Sequence, residues 1–208
     1  MESDGLAARG NAAARVTAVE GPPRTDSSPH LPGDTHMWVM VLGDLGIFGC
    51  YFLIFMVHRA MAPDAYLAAQ QHLNVTIGVI NTIVLLTSSL FVARGVAATR
   101  CGRHTSAVRL LIAAGASGVL FIAVKAYEWS VELAGGHTVA DEFFSFYYVL
   151  TGVHMLHVTL GLIILGVCVR ELLAPKRRRI TLIEQGATYW HMVDLLWIVI
   201  FGLLYVMR

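Results

Sequence analysis

The sequence predicts an all-α integral membrane protein, a bundle of five transmembrane helices. Two observations carry this. Of 208 residues, 56% are apolar and only 14% charged, against roughly 25% charged in an ordinary soluble domain. The mean hydropathy is +0.64 over the whole length, so apolar residues are most of the molecule rather than one core inside a polar shell.

The first 36 residues are rich in Gly, Pro, Ser, Ala and mixed charges, with no apolar run long enough for a signal-peptide core. They read as a disordered cytoplasmic tail, 1–36, ahead of a transmembrane domain, 37–208. Five apolar stretches follow at about 37–58, 73–94, 107–129, 143–173 and 186–207, each near or above the ~20 residues that cross a bilayer as a helix. Gly78, Ser88 and Ser89 in the second span, with Gly115, Ser117 and Gly118 in the third, suit close helix packing in lipid. The fourth span is the longest and opens with Phe143, Phe144, Phe146, Tyr147 and Tyr148, which reads as an aromatic belt at the membrane interface.

Basic residues near the helix ends set the expected orientation. Arg94, Arg100, Arg103 and Arg109 flank the connection between spans two and three; Arg170, Lys176, Arg177, Arg178 and Arg179 flank that between four and five. Both connections are expected in the cytoplasm. The connection with Glu132, Asp141 and Glu142, and the one with Arg59 as its only fixed positive charge, are expected outside. The N-terminus is then in and the C-terminus out.

Several functions are disfavoured. Lys+Arg 15 against Asp+Glu 14 gives a net charge of +1, with no basic excess for nucleic acid. Cys50, Cys101 and Cys168 stand singly, without a CxxC pair. The chain has no Walker A loop, dinucleotide glycine fingerprint, GxSxG or HExxH. No nucleophile, phosphate cradle or metal set is complete, which points to a helper or a conduit.

Function should therefore show in the polar side chains inside the spans, because each costs a few kcal/mol there and needs a partner or a purpose. These are Asp44 in the first, Asn81 in the second, Lys125 and Glu128 near the outer end of the third, His154 and His157 in the fourth, and His191 and Asp194 in the fifth. Lys125 and Glu128, at i,i+3, can neutralise each other, either as a snorkelling interfacial pair or as a functional one. His154 and His157 share one helix face, but a metal needs three or four ligands. Two histidines bonding across helices is the reading favoured over a metal or haem site. Haem between two histidines would need His191 level with His154 or His157, and the helix rise places it nearer the cytoplasm than both. Asp44 and Asp194 both fall on the cytoplasmic side of the midplane, with His157 close to that layer. They read either as a proton-handling pair of buried acids or as a polar knot joining spans one, four and five.

The segments VKAYEWS (124–130), FFSFYYVLTGVHMLHVTLGLIIL (143–165) and ATYWHMVDLLWIVIFGLLYVMR (187–208) resemble subunit III of haem-copper (cytochrome c) oxidases. The YEW, TGVHMLHV and YWHMVDLLW elements occur in that family's order, and the resemblance covers about 37–208. It implies the short five-helix form of a family whose long form has seven helices around a lipid-filled cleft. The family's buried glutamate, in a Ser-Glu-x-x-x-Phe setting, is here replaced by Asp44 after Gly43, a departure similar to the branch associated with bacterial nitric oxide reductase.

What the resemblance implies is an accessory subunit without catalytic residues, haem or copper of its own. Haem and copper would reside in partner subunits I and II of an oxidase or a nitric oxide reductase, in a bacterial plasma membrane. The chain would stabilise the catalytic subunit, bind membrane lipid, sustain proton uptake and slow turnover-linked inactivation during aerobic electron transport. By the same resemblance Asp44 takes the buried-acid position. Lys125, Glu128, His154, His157, His191 and Asp194 take motif positions of structural or proton-related role. The alternatives from other classes are an independent haem-b oxidoreductase and a proton channel.

Overall fold

The computed structural model describes residues 35–174 and 179–207. The tail up to residue 34 and Lys176, Arg177 and Arg178 lie outside the described residues. Leu-, Ile-, Val- and Ala-rich runs place apolar side chains on every face of a helix, and helices satisfy their own backbone groups where no water can. The elements are α1 (Thr35–Met61), α2 (Pro63–Gln70), α3 (Val75–Arg100), α4 (His104–Ala134), α5 (Glu142–Leu173) and α6 (Ile180–Phe201), ending in a π-helical turn at Gly202–Val206. No strand occurs among the described residues. Five of these helices are long and apolar enough to cross a membrane.

The boundaries follow local chemistry. Pro63 stands at the start of α2, where its missing N–H costs nothing. The Asn74 side chain accepts from the amides of Thr76 and Ile77 at 3.0 and 3.4 Å and so caps α3. Gly102 and Gly136 hold positive φ angles of 72° and 86°, and the amides just beyond them return to Ala98 O and Glu132 O at 2.9 and 3.1 Å. These are Schellman closures, which need a glycine at that φ. The π turn leaves carbonyls without the usual helical partners. Gln70 Nε2 donates to two of them, Leu203 O and Leu204 O, at 3.1 and 3.2 Å, so the short α2 braces the end of α6.

α6 is the most buried of the spans and α1 the least. Trp190 of α6 lies where α4 and α5 have no side chain. A Cβ on Gly118 would come 2.7 Å from Trp190 Cη2, and one on Gly161 2.8 Å from its Cε3. α3 and α4 pack closely, with Ser88 Oγ donating to Ala114 O at 2.9 Å and Gly95 against Leu111.

Two expectations are corrected. The aromatic run at the start of α5 is not a lipid-facing belt: Phe143, Phe144, Tyr147 and Tyr148 are buried. Phe143 packs edge-on to Tyr66 and Phe144 stacks on His137, because α2 and the α4–α5 connection fold over that face. Lys125 and Glu128 do not snorkel. α4 runs on to Ala134 rather than ending near 129, since no breaker precedes Gly135, and this sets the pair well inside the helix.

Candidate functional site

The polar side chains form separate groups. The deepest is built on Lys125 of α4, which is fully buried. Its Nζ donates to Glu128 Oε2 at 3.0 Å, Tyr147 Oη at 3.2 Å and Tyr205 Oη at 2.6 Å. All three ammonium protons are thereby used. Tyr205 Oη donates in turn to Glu128 Oε1 at 2.5 Å, so each carboxylate oxygen has its own partner. The ammonium also lies 4.6, 5.1 and 5.3 Å from the ring centroids of Tyr147, Tyr205 and Trp197, within cation–π range. The i,i+3 pair is thus formed, and aromatic residues of α5, α6 and the π turn enclose it. As a closed, neutral network without an opening, it joins three segments and offers no surface to a substrate.

A second group joins α1 to α5. His157 Nε2 lies 3.5 Å from Asp44 Oδ2, and its Nδ1 is 2.8 Å from Val153 O. A carbonyl only accepts, so Nδ1 carries a proton. Nε2 is then the ring atom that faces the Asp44 carboxyl. Phe48 packs edge-on to the imidazole at 5.4 Å, and both polar groups are about one-fifth exposed. Asp44 and His157 are therefore brought together, whereas Asp194 is not part of the same knot.

Asp194 faces α3. Ser89 Oγ is 2.7 Å from His191 Nδ1, one turn of α6 before Asp194. The serine lies beside the Asp194 carboxyl as well, yet neither carboxyl oxygen has a hydrogen-bond partner of normal geometry. His154 is fully buried, with its ring against Phe121 and Trp197 at 5.5 and 5.3 Å and no partner on either nitrogen. Of the expected bonding of the two histidines across helices, the His154 part is corrected, since neither of its nitrogens has a partner, whereas His157 does meet Asp44 of α1. His154 turns to α4 and α6, while His157 bonds its own backbone and meets α1. Among the described residues, no three His, Cys, Asp or Glu side chains are grouped to hold a metal ion.

At the end of the bundle where α1 meets α5, Glu142 Oε1 bonds His58 Nδ1 and accepts from Tyr66 Oη at 3.2 Å. Burial, with Glu142 beside it, pushes the Tyr66 phenol well above its ordinary value. His72 meets His137 with ring centroids 4.6 Å apart. The opposite end is tied by Arg100 of α3 and Glu184 of α6 at 2.8 Å. Sequence reasoning missed Tyr66, Tyr147, Tyr205 and the His58–Glu142 pair. The one signal for the tyrosines was that an ammonium has three protons and a single i,i+3 carboxylate cannot take them all.

Residues 34–208 match the family model of cytochrome c oxidase subunit III. The chain is 32% identical over 196 residues to cytochrome c oxidase subunit 3 of Synechocystis sp., covering 87% of this chain and 83% of the relative. It is 30% identical over 165 residues to the subunit 3 of Thermostichus vulcanus, covering 78% and 79%. A heme-copper oxidase subunit I+III of Aeropyrum pernix is 26% identical over 182 residues, 81% of this chain and 22% of the relative. The match takes in every described helix and each polar group set out above, and the chain belongs to the cytochrome c oxidase subunit III family.

Proposed function

We propose that this subunit III acts as a non-catalytic buttress of a haem-copper terminal oxidase, holding the catalytic subunit in the membrane and supporting its proton uptake. The family match over residues 34–208 carries the reading. The relative named for subunits I and III together supports a place beside subunit I, with haem and copper held by subunits I and II. The protein sits in a bacterial plasma membrane. Its transmembrane domain follows the tail 1–36, with the N-terminus in and the C-terminus out. The orientation is supported by Arg94, Arg100, Arg103, Arg109, Arg170 and Arg179, which cluster around the connections at one end of the bundle.

Two experiments test this. A mild-detergent pull-down of the tagged chain is expected to bring a large catalytic subunit and the reduced-minus-oxidised bands of its haem. Haem bands from the chain alone, or a colourless solitary chain, would overturn the reading.

The second concerns Asp44, whose carboxyl meets His157 between α1 and α5. Asp44→Asn is expected to leave the amount of assembled complex unchanged while lowering proton-coupled turnover or shortening its working lifetime. An amide cannot take up a proton, although it keeps the shape. Turnover and lifetime equal to those of the native complex would make the pair purely structural.

A further inference from the structure

Ser89 of α3 stands between two ionisable side chains of α6. Its Oγ lies 2.7 Å from His191 Nδ1, and the Asp194 carboxyl, one turn along the same face of α6, lies beside it as well. The hydroxyls of Thr82, Thr87 and Ser117 each donate to a carbonyl of their own helix four residues back, at 2.8, 2.8 and 3.0 Å. The Ser89 hydroxyl faces across the helix interface instead. Asp194 is buried, whereas Ser89 and His191 are only partly so, so the three residues lead from the interior of the bundle to its surface between α3 and α6. Among the described residues, no charged side chain acts on Asp194 or on His191.

A hydroxyl has one proton to give. If Ser89 gives it to His191 Nδ1, its oxygen can only accept from Asp194, and the carboxyl must be the neutral acid. If Asp194 is ionised, Ser89 must donate to the carboxylate, and His191 must carry a proton on Nδ1 and donate it to Oγ. Any other combination sets two lone pairs or two protons against each other away from water, which is costly. The charge of Asp194 and the tautomer of His191 are therefore tied through one hydroxyl. Neither oxygen of Asp194 is engaged elsewhere, so the carboxyl is free to turn about Cβ–Cγ and meet Ser89 in either state.

We propose that Ser89 is a proton-relay residue coupling Asp194 to His191, in a proton-handling site distinct from the Asp44–His157 pair. In the acid state Asp194 donates to Ser89 Oγ, Ser89 donates to His191 Nδ1, and the imidazole holds its proton on Nε2. On ionisation the carboxyl proton passes to Oγ, the hydroxyl proton passes to Nδ1, and the Nε2 proton leaves to a water or partner-subunit base at the bundle surface. One proton is released, and both hydrogen bonds end reversed, Nδ1 donating to Oγ and Oγ to the carboxylate. The three residues titrate as one unit. The relay does not depend on the oxidase reading, and the chain itself is enough to test it.

Side-chain nitrogen NMR of the full chain in detergent, with isotopically labelled histidine, reads the tautomer of His191, and His191→Gln identifies its signals. Raising the pH from about 6 to about 9 is expected to move the ring's lone pair from Nδ1 to Nε2. In Ser89→Ala and in Asp194→Asn that change is expected to be lost, with one tautomer kept throughout. Ser89→Thr, which retains the hydroxyl, should restore it. A bond that merely ties α3 to α6 would leave the tautomer the same at both ends of the range, and that result in the native chain overturns the proposal. So does a Ser89→Ala protein whose tautomer still follows pH, or a Ser89→Thr protein that behaves like Ser89→Ala. If the variants do not fold, the native titration decides alone: a tautomer exchange supports the relay and a fixed tautomer overturns it.

Discussion

Glu128→Ala is expected to destabilise the protein by about 3–5 kcal/mol, the cost typical of removing one partner from a buried ion pair. The substitution leaves Lys125 fully buried with only two phenols as acceptors, and one of these, Tyr205, loses the carboxylate it donates to. Lys125→Met should cost less, because Glu128 keeps the Tyr205 hydroxyl and the methionine fills the space of the lysine stem. The double variant Lys125→Met/Glu128→Leu should recover most of the loss, since no bare charge remains. Thermal unfolding of the detergent-purified protein measures all three. A Glu128→Ala midpoint equal to the native one would mean that the pair adds nothing to stability. A double variant no better than Glu128→Ala would place the cost in packing rather than in charge.

This pair also marks how far the sequence reaches. Lys125 and Glu128 were readable as partners because i,i+3 residues lie on one helix face. Tyr147 and Tyr205 were not, since they come from α5 and from the π turn, and nothing local in either segment signals a lysine across the bundle. The aromatic run at 143–148 reads as a bilayer-interface belt because lipid headgroups and a neighbouring helix both favour such rings. Composition cannot separate the two; the covering segment α2 decides it. That segment leaves no comparable signal because PDAYLAAQ is short and only weakly apolar, whereas the five spans announce themselves through hydropathy alone. Asp44 and His157 were legible as a shared layer from helix rise. Helix rise gives Asp194 its height along the bundle as well, but not the direction it faces, which is toward Ser89 of α3 rather than toward Asp44.

Direction is what the glycines of α4 and α5 settle, and they carry the second large effect. Trp190 is almost wholly buried and spans both helices through Gly118 and Gly161. Trp190→Ala is expected to cost about 3–5 kcal/mol, because the neighbouring helices cannot close over a cavity of that size. The reverse change is as informative. At Gly118→Ala or Gly161→Ala the new methyl would lie under 3.0 Å from the indole ring, a rigid group held between two helices. Each should cost about 1–3 kcal/mol by overpacking. Gly115→Ala is the internal control: its nearest neighbour would be 3.9 Å away, an ordinary contact, and the midpoint should stay native or rise. In lipid, where no water is expelled when helices meet, association depends on such close approaches. Equal midpoints for the alanine variants at 115, 118 and 161 would mean that Trp190 does not lock α6 between α4 and α5. A loss confined to 118 and 161 would identify the indole as the wedge that orients α6, and with it the inward direction of Asp194.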